Sequence, residues 1–148
     1  LKDNVMDMEP EPTVLLYVED EILIQISMKP ALEDAGFEVL TAANGKQALE
    51  IIEDGEGLID GLVTAVYLGP GPSGWNVARY ARERVANIPV IYASTAGKNE
   101  WMAQGVPFSE LVSKPFRPSR LAGAISKLMA SAGHPGHPTG FQKHSSVR

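Results

Sequence analysis

From Thr13 onward, short apolar runs of strand length alternate with stretches whose apolar residues recur at helical spacing. Thr13 to Val18 is a continuous apolar run and predicts the first strand. Glu21 to Ala35 follows with apolar positions at Ile22, Leu23, Ile26, Leu32 and Ala35, a helix in which Pro30 predicts a kink. An interior proline lacks an N–H and crowds the preceding turn, at about 3 kcal/mol unless the helix bends. Gly36 ends this helix and Phe37 to Thr41 reads as the second strand. Asn44, with Gln47 three positions on, resembles a capping box for a helix that closes at Gly55 and turns Leu49 and Ile52 inward. Ile59 to Ala65 is the third strand. Ser73 or Gly74 opens a helix with Val77, Ala78, Ala81 and Val85 on one stripe. Pro89 to Ala93 is the fourth strand, and Lys98 to Gln104 a helix of weak periodicity. Leu111 to Ser113 is a short fifth strand, and Pro118 suits the first turn of a last helix carrying Leu121, Ile125, Leu128 and Met129.

Strands alternating with helices predict an α/β domain, a parallel sheet covered on both faces. Right-handed crossovers and a strand order of 2-1-3-4-5 would make it a flavodoxin-like, doubly wound five-stranded sheet with five helices. Such sheets bind ligands outside the carboxyl ends of their strands. Those ends carry Glu19 and Asp20 after the first strand, Ala65 at the end of the third, Ser94 after the fourth and Lys114 after the fifth. The expected organisation is a flexible segment over 1–12, a folded domain over 13–131 and a disordered Pro/Gly-rich tail over 132–148.

Composition narrows the function without naming it. The 148 residues are 44% hydrophobic and 21% charged, enough for one globular domain with a real core. A formal net charge of -5 and the lack of any Lys/Arg run argue against nucleic-acid binding. The absence of cysteine excludes disulfides, thiolate metal sites and cysteine catalysis. No apolar stretch approaches the roughly 18 residues of a membrane span, and the acidic first residues lack the pattern of a signal peptide. A cytoplasmic location is the default expectation. A start at Leu1 instead of Met suggests a processed or excised chain.

Three segments together resemble the receiver domain of two-component response regulators, the CheY-like family, over about Thr13 to Met129. Leu15-Leu16-Tyr17-Val18-Glu19-Asp20-Glu21 is similar to the family's first strand and acidic pair. Ile88-Pro89-Val90-Ile91-Tyr92-Ala93-Ser94 is similar to its fourth strand and switch hydroxyl, and Val112-Ser113-Lys114-Pro115-Phe116 to its lysine segment, whose Lys-Pro bond is usually cis. The resemblance implies a phosphorelay chemistry in which a carboxylate attacks phosphorus in line and a divalent cation neutralises the oxygens that gain charge. It implies cation ligands at Glu19, Asp20 and the Tyr67 backbone carbonyl, a switch hydroxyl at Ser94 and a phosphoryl partner at Lys114. Its acceptor position falls on Ala65, which has no lone pair with which to attack. Asp60 would begin the third strand at the opposite edge of the sheet. Leu111 stands where the family's aromatic switch is usual, and Thr95 where alanine is.

The resemblance therefore implies a single-domain receiver that is not phosphorylatable as it stands, acts by binding and is not an enzyme. Mg2+ binding would be weakened by the missing carboxylate, or Lys114 would pair with Asp20 and leave the pocket metal-free. The implied partners are a histidine kinase or a downstream signalling protein on the face of helix four, strand five and helix five. One alternative is a conventional phosphoaspartate receiver carrying an engineered Asp-to-Ala change at 65. Another is a flavodoxin-like nucleotide or flavin enzyme using Gly69-Pro70-Gly71-Pro72-Ser73-Gly74, a literal G-x-G-x-x-G. Pro70 and Pro72 remove two N–H donors that a phosphate cradle would use, so a turn-rich connector is the better account. Taken alone, Glu19-Asp20-Glu21 would read as a solvated helix entrance. His134, His137 and His144 lie among prolines and glycines that offer no rigid ligand geometry. Trp101 and Met102, as helix neighbours, cannot both face the core.

Overall fold

The computed structural model describes residues 12–55 and 58–132. Five strands, β1 (Thr13–Val18), β2 (Phe37–Ala42), β3 (Gly61–Thr64), β4 (Val90–Ser94) and β5 (Ser109–Ser113), form one sheet in the order β2-β1-β3-β4-β5. All four pairings are parallel. The helices are α1 (Ile22–Asp34), α2 (Gly45–Asp54), α3 (Gly74–Arg84), α4 (Lys98–Gln104) and α5 (Pro118–Ala132). The expected order and element count are thus observed.

Central strands of a doubly covered sheet are buried on both faces, which is why β1, β3 and β4 read as unbroken apolar runs. Leu15 and Tyr17 of β1 share a core with Met28 and Leu32 of α1 and with Leu121 and Ile125 of α5. Leu16 and Val18 face the other way, toward Ala48 and Ile52 of α2 and Val77, Ala78 and Ala81 of α3.

Several boundaries differ from expectation. β3 begins at Gly61 instead of Ile59, because the Asp60 side chain takes over the pairing there: Val14 N–H donates to Asp60 Oδ2 at 2.8 Å. β4 ends at Ser94. β5 starts two residues early, at Ser109, since an edge strand needs no apolar run to pair with β4. α3 stops at Arg84, with Val85 already extended. α1 runs through Pro30 from Ile22 to Asp34, within one residue at each end of the expected Glu21 to Ala35. Ile22, Leu23 and Ile26 of α1 are exposed, and its buried stripe is Met28 and Leu32 with half-buried Ile24.

The caps follow the residues that announced them. Gln47 N–H donates to Asn44 Oδ1 at 2.8 Å, while the Gln47 side chain accepts from Ala43 N–H, one residue before the cap. Ser73 and Asn76 form a reciprocal capping box that starts α3. Gly74 is required there, because a Cβ would lie 1.9 Å from the Ala65 carbonyl oxygen. α3 can therefore begin directly against the end of β3. Segments 1–11 and 133–148, with the three histidines, lie outside the described residues.

Candidate functional site

The carboxyl ends of the strands are drawn together by backbone hydrogen bonds. Glu19 N–H donates to the Ala42 carbonyl at 3.0 Å, Ala65 N–H to the Val18 carbonyl at 2.9 Å and Lys114 N–H to the Ser94 carbonyl at 3.0 Å. Glu19 follows β1 immediately and is fully buried, although it carries a carboxyl group. One of its oxygens, Oε2, accepts from Glu21 N–H at 3.1 Å and from Lys114 Nζ at 3.1 Å. The other, Oε1, is buried and has no partner. Burial is the largest influence on this carboxyl and holds its pKa above the ordinary value; the Glu21 N–H and the Lys114 ammonium oppose that shift.

Lys114 reaches Glu21 as well, at 3.4 Å, so one ammonium bridges two carboxylates. It does not pair with Asp20, the arrangement that the sequence left open as the alternative to a weakened cation site. Asp20 is exposed, and the fully buried Glu19 has first claim on a cation because its charge is otherwise poorly solvated. Gln25 fastens the same corner, donating from its side-chain amide to the carbonyls of Glu19 at 3.1 Å and Ala42 at 3.3 Å.

Ser94 ends β4 and is buried, its hydroxyl oxygen accepting from Ala96 N–H at 3.1 Å. Ala65 follows β3 and is buried; Thr64 beside it donates its hydroxyl to the Ala65 carbonyl at 2.7 Å. Tyr67 is in the β3–α3 loop, with its phenol hydrogen-bonded to Glu100 of α4. Leu111 of β5 is half-buried and opposite Tyr92 of β4. The Lys114–Pro115 peptide bond is cis, as the resemblance implied.

Glu19, Asp20 and Glu21 offer carboxylate oxygens that all lie within 4.8 Å of one another. An all-oxygen set with one buried unpartnered oxygen fits a hard divalent cation in kind. The Lys114 ammonium would compete for the same oxygens.

Sequence reasoning missed Tyr17. Its side chain is fully buried and its hydroxyl has no partner, a cost invisible in an apolar run. Burial, then the charges of Glu19 and Glu21, push the phenol well above its ordinary pKa. The Tyr67–Glu100 contact was missed too, since nothing in local spacing connects those positions.

A family model, the response regulator receiver domain, matches residues 15–126. The chain belongs to this family. It is 32% identical over 123 residues to the phosphate regulon transcriptional regulatory protein PhoB of Pseudomonas aeruginosa, covering 80% of this chain and 52% of PhoB. To the sensor kinase CckA of Brucella abortus it is 30% identical over 130 residues, 86% of this chain and 13% of CckA. Among solved structures, a response regulator receiver protein from Sinorhizobium medicae WSM419 superposes with a TM-score of 0.78 at 37% identity, covering 82% of this chain and 97% of that one. The receiver thus spans about half the length of PhoB and a small part of CckA, one module in two settings. Its fold is the CheY-like, flavodoxin-like sheet of two-component signalling. The Gly69 to Gly74 loop is accordingly a connector of a receiver, with Gly69 and Gly71 at positive φ. No helix among the described residues is long and apolar enough to cross a membrane.

Proposed function

We propose that this receiver, as it stands, signals through protein contacts without accepting a phosphoryl group. The observation that carries the reading is Ala65 at the carboxyl end of β3, beside the Glu19 and Lys114 corner, where the family's acceptor aspartate is expected. Acceptance requires a carboxylate oxygen to bond to phosphorus in line as the bond from phosphorus to the donor breaks. A methyl group supplies no such oxygen. Asp60, the nearby acid on the same segment, is engaged with Val14 N–H before β3 begins and belongs to the other end of the sheet.

The remaining residues keep roles consistent with the family. Glu19 and Asp20, with the Tyr67 carbonyl, would hold a divalent cation such as Mg2+, whose charge would neutralise phosphoryl oxygens. Its binding is weakened by the missing carboxylate and by the Lys114 bridge. Ser94 and Lys114 are the proposed switch hydroxyl and phosphoryl partner, and Leu111 replaces the aromatic switch. The proposed working unit is residues 13–131, acting in the cytoplasm by binding and not by catalysis. The proposed partners, a histidine kinase or a downstream signalling protein, dock on the α4–β5–α5 face, where Met102 and Phe108 are exposed apolar residues.

The intact acidic group, Ser94 and Lys114 favour a second reading, a conventional receiver changed from Asp to Ala at 65. Both are tested by incubating the chain and its Ala65→Asp variant with acetyl phosphate and Mg2+, followed by intact mass. The expected result is no adduct on the alanine form; a stable adduct there overturns the proposal. An adduct on the variant shows the surrounding site to be competent, and its absence places the loss deeper, at Leu111 and Thr95.

A further inference from the structure

α4 is the least embedded helix of the fold. It spans seven residues and none of them is buried; Trp101 is half-buried, and Met102 is 69% exposed. An element with so little apolar burial opens locally at low free energy, so directed polar contacts decide where it rests. α4 has such contacts at Glu100, Trp101 and Gln104. In its first turn, Glu100 accepts a hydrogen bond from the phenol of Tyr67, which lies two residues beyond Ala65 in the loop leaving β3. In its last turn, Arg79 of α3 donates through Nη2 to the Gln104 side-chain oxygen at 2.6 Å and to the Gln104 carbonyl at 3.1 Å.

Between these two tethers, Trp101 Nε1 donates to Ser109 Oγ at 3.0 Å, and Ser109 Oγ donates to the Val106 carbonyl at 2.6 Å. Val106 N–H in turn donates to the hydroxyl of Tyr92, the buried β4 residue opposite Leu111. Gly105 makes this fold-back available, because a Cβ there would lie 2.5 Å from the Trp101 ring.

We infer that Tyr67–Glu100 and Arg79–Gln104 form a two-point clasp that holds α4 in one position and ties it to the loop leaving β3. The clasp requires no phosphoryl group. Its two ends anchor to segments on the β3 and α3 side, so α4 cannot shift along the sheet without breaking at least one of them. Resting on the reading of α4–β5–α5 as the output face, the clasp presets that face in the unphosphorylated protein.

The test is amide hydrogen exchange of the whole chain at neutral pH, resolved to the α4 segment. Tyr67→Phe removes the hydroxyl and keeps the ring; Arg79→Met removes the guanidinium and keeps most of the stem. Each is expected to speed exchange over 98–104 by about fivefold, the scale of one net hydrogen bond. The double variant should be faster still, with β1, β3 and α5 unchanged. Glu100→Gln retains an acceptor for the phenol and should fall between the original chain and Tyr67→Phe. Unchanged exchange over 98–104 in the double variant overturns the clasp, as does an equal rise throughout the sheet. The readout involves neither phosphodonor nor partner, so it stands or falls apart from the mass measurement on Ala65.

Discussion

The centre of the sheet at the Glu19 end and the α4 edge are held by opposite means. Around β1 and β3, apolar side chains are buried to completion on both faces, and the polar groups caught among them are incompletely satisfied: Glu19 Oε1 and the Tyr17 hydroxyl have no partners. Along α4 no side chain is buried, yet Trp101, Glu100 and Gln104 all have defined hydrogen-bond partners. Burial supplies stability where it is abundant and tolerates polar defects. Hydrogen bonds supply position where burial is scarce.

The contrast is broken most strongly by truncating one residue of each kind. Leu16→Ala, in the fully buried centre, is expected to destabilise the fold by about 3 kcal/mol, and Met102→Ala on α4 by less than about 0.5 kcal/mol. Urea unfolding of the two variants measures the difference. Equal losses would mean that α4 is as embedded as the sheet.

Removal of the Lys114 charge comes next. Lys114→Met leaves the Glu19 carboxylate buried without its cation, an expected loss of about 2 kcal/mol at pH 7, discounted because the lysine is partly solvated. The folded protein holds the Glu19 proton more tightly than the unfolded chain does, so protonation favours the fold. The Glu19 penalty is therefore greatest above the raised folded-state pKa and is relieved as pH falls through it toward the ordinary value of 4.5. Urea midpoints for the variant and the original chain should converge as the pH is lowered from 7 toward 4.5; a gap that widens on acidification contradicts the assignment.

Tyr17→Phe sharpens the comparison from the other side. Deleting a buried hydroxyl that has no partner should stabilise the protein, by about 1 kcal/mol, instead of weakening it. A loss of stability would reveal a partner for that hydroxyl. Tyr92→Phe, the matched change at a phenol that does accept from Val106 N–H, should instead be destabilising. The smallest expected global effect is that of Tyr67→Phe, whose urea midpoint should not move although α4 exchange quickens.

Much of the fold was legible because parallel strands buried on both faces leave unbroken apolar runs, and Asn44, Ser73 and Pro118 announce helix starts. Errors gathered where tertiary pairing overrides the local pattern. Asp60 replaces part of a ladder with its side chain, and the polar Ser109 and Glu110 join β5 because β4 offers them partners. On α1 the apolar pattern was too continuous to choose a face, and Ile22, Leu23 and Ile26 lie outward.

The candidate site divides in the same way. Glu19, Asp20, Ala65, Ser94 and Lys114 could be assigned to strand ends, since order and topology bring those ends to one edge whatever the side chains do. The absence of a carboxylate at Ala65 is equally a property of the chain itself. Which acid Lys114 meets depended on burial: three consecutive acids are equivalent in sequence, and only folding leaves Glu19 dry enough to need the ammonium. The Tyr67–Glu100 link likewise required the β3–α3 loop and α4 to be placed side by side, a distance of 33 residues that no local periodicity encodes.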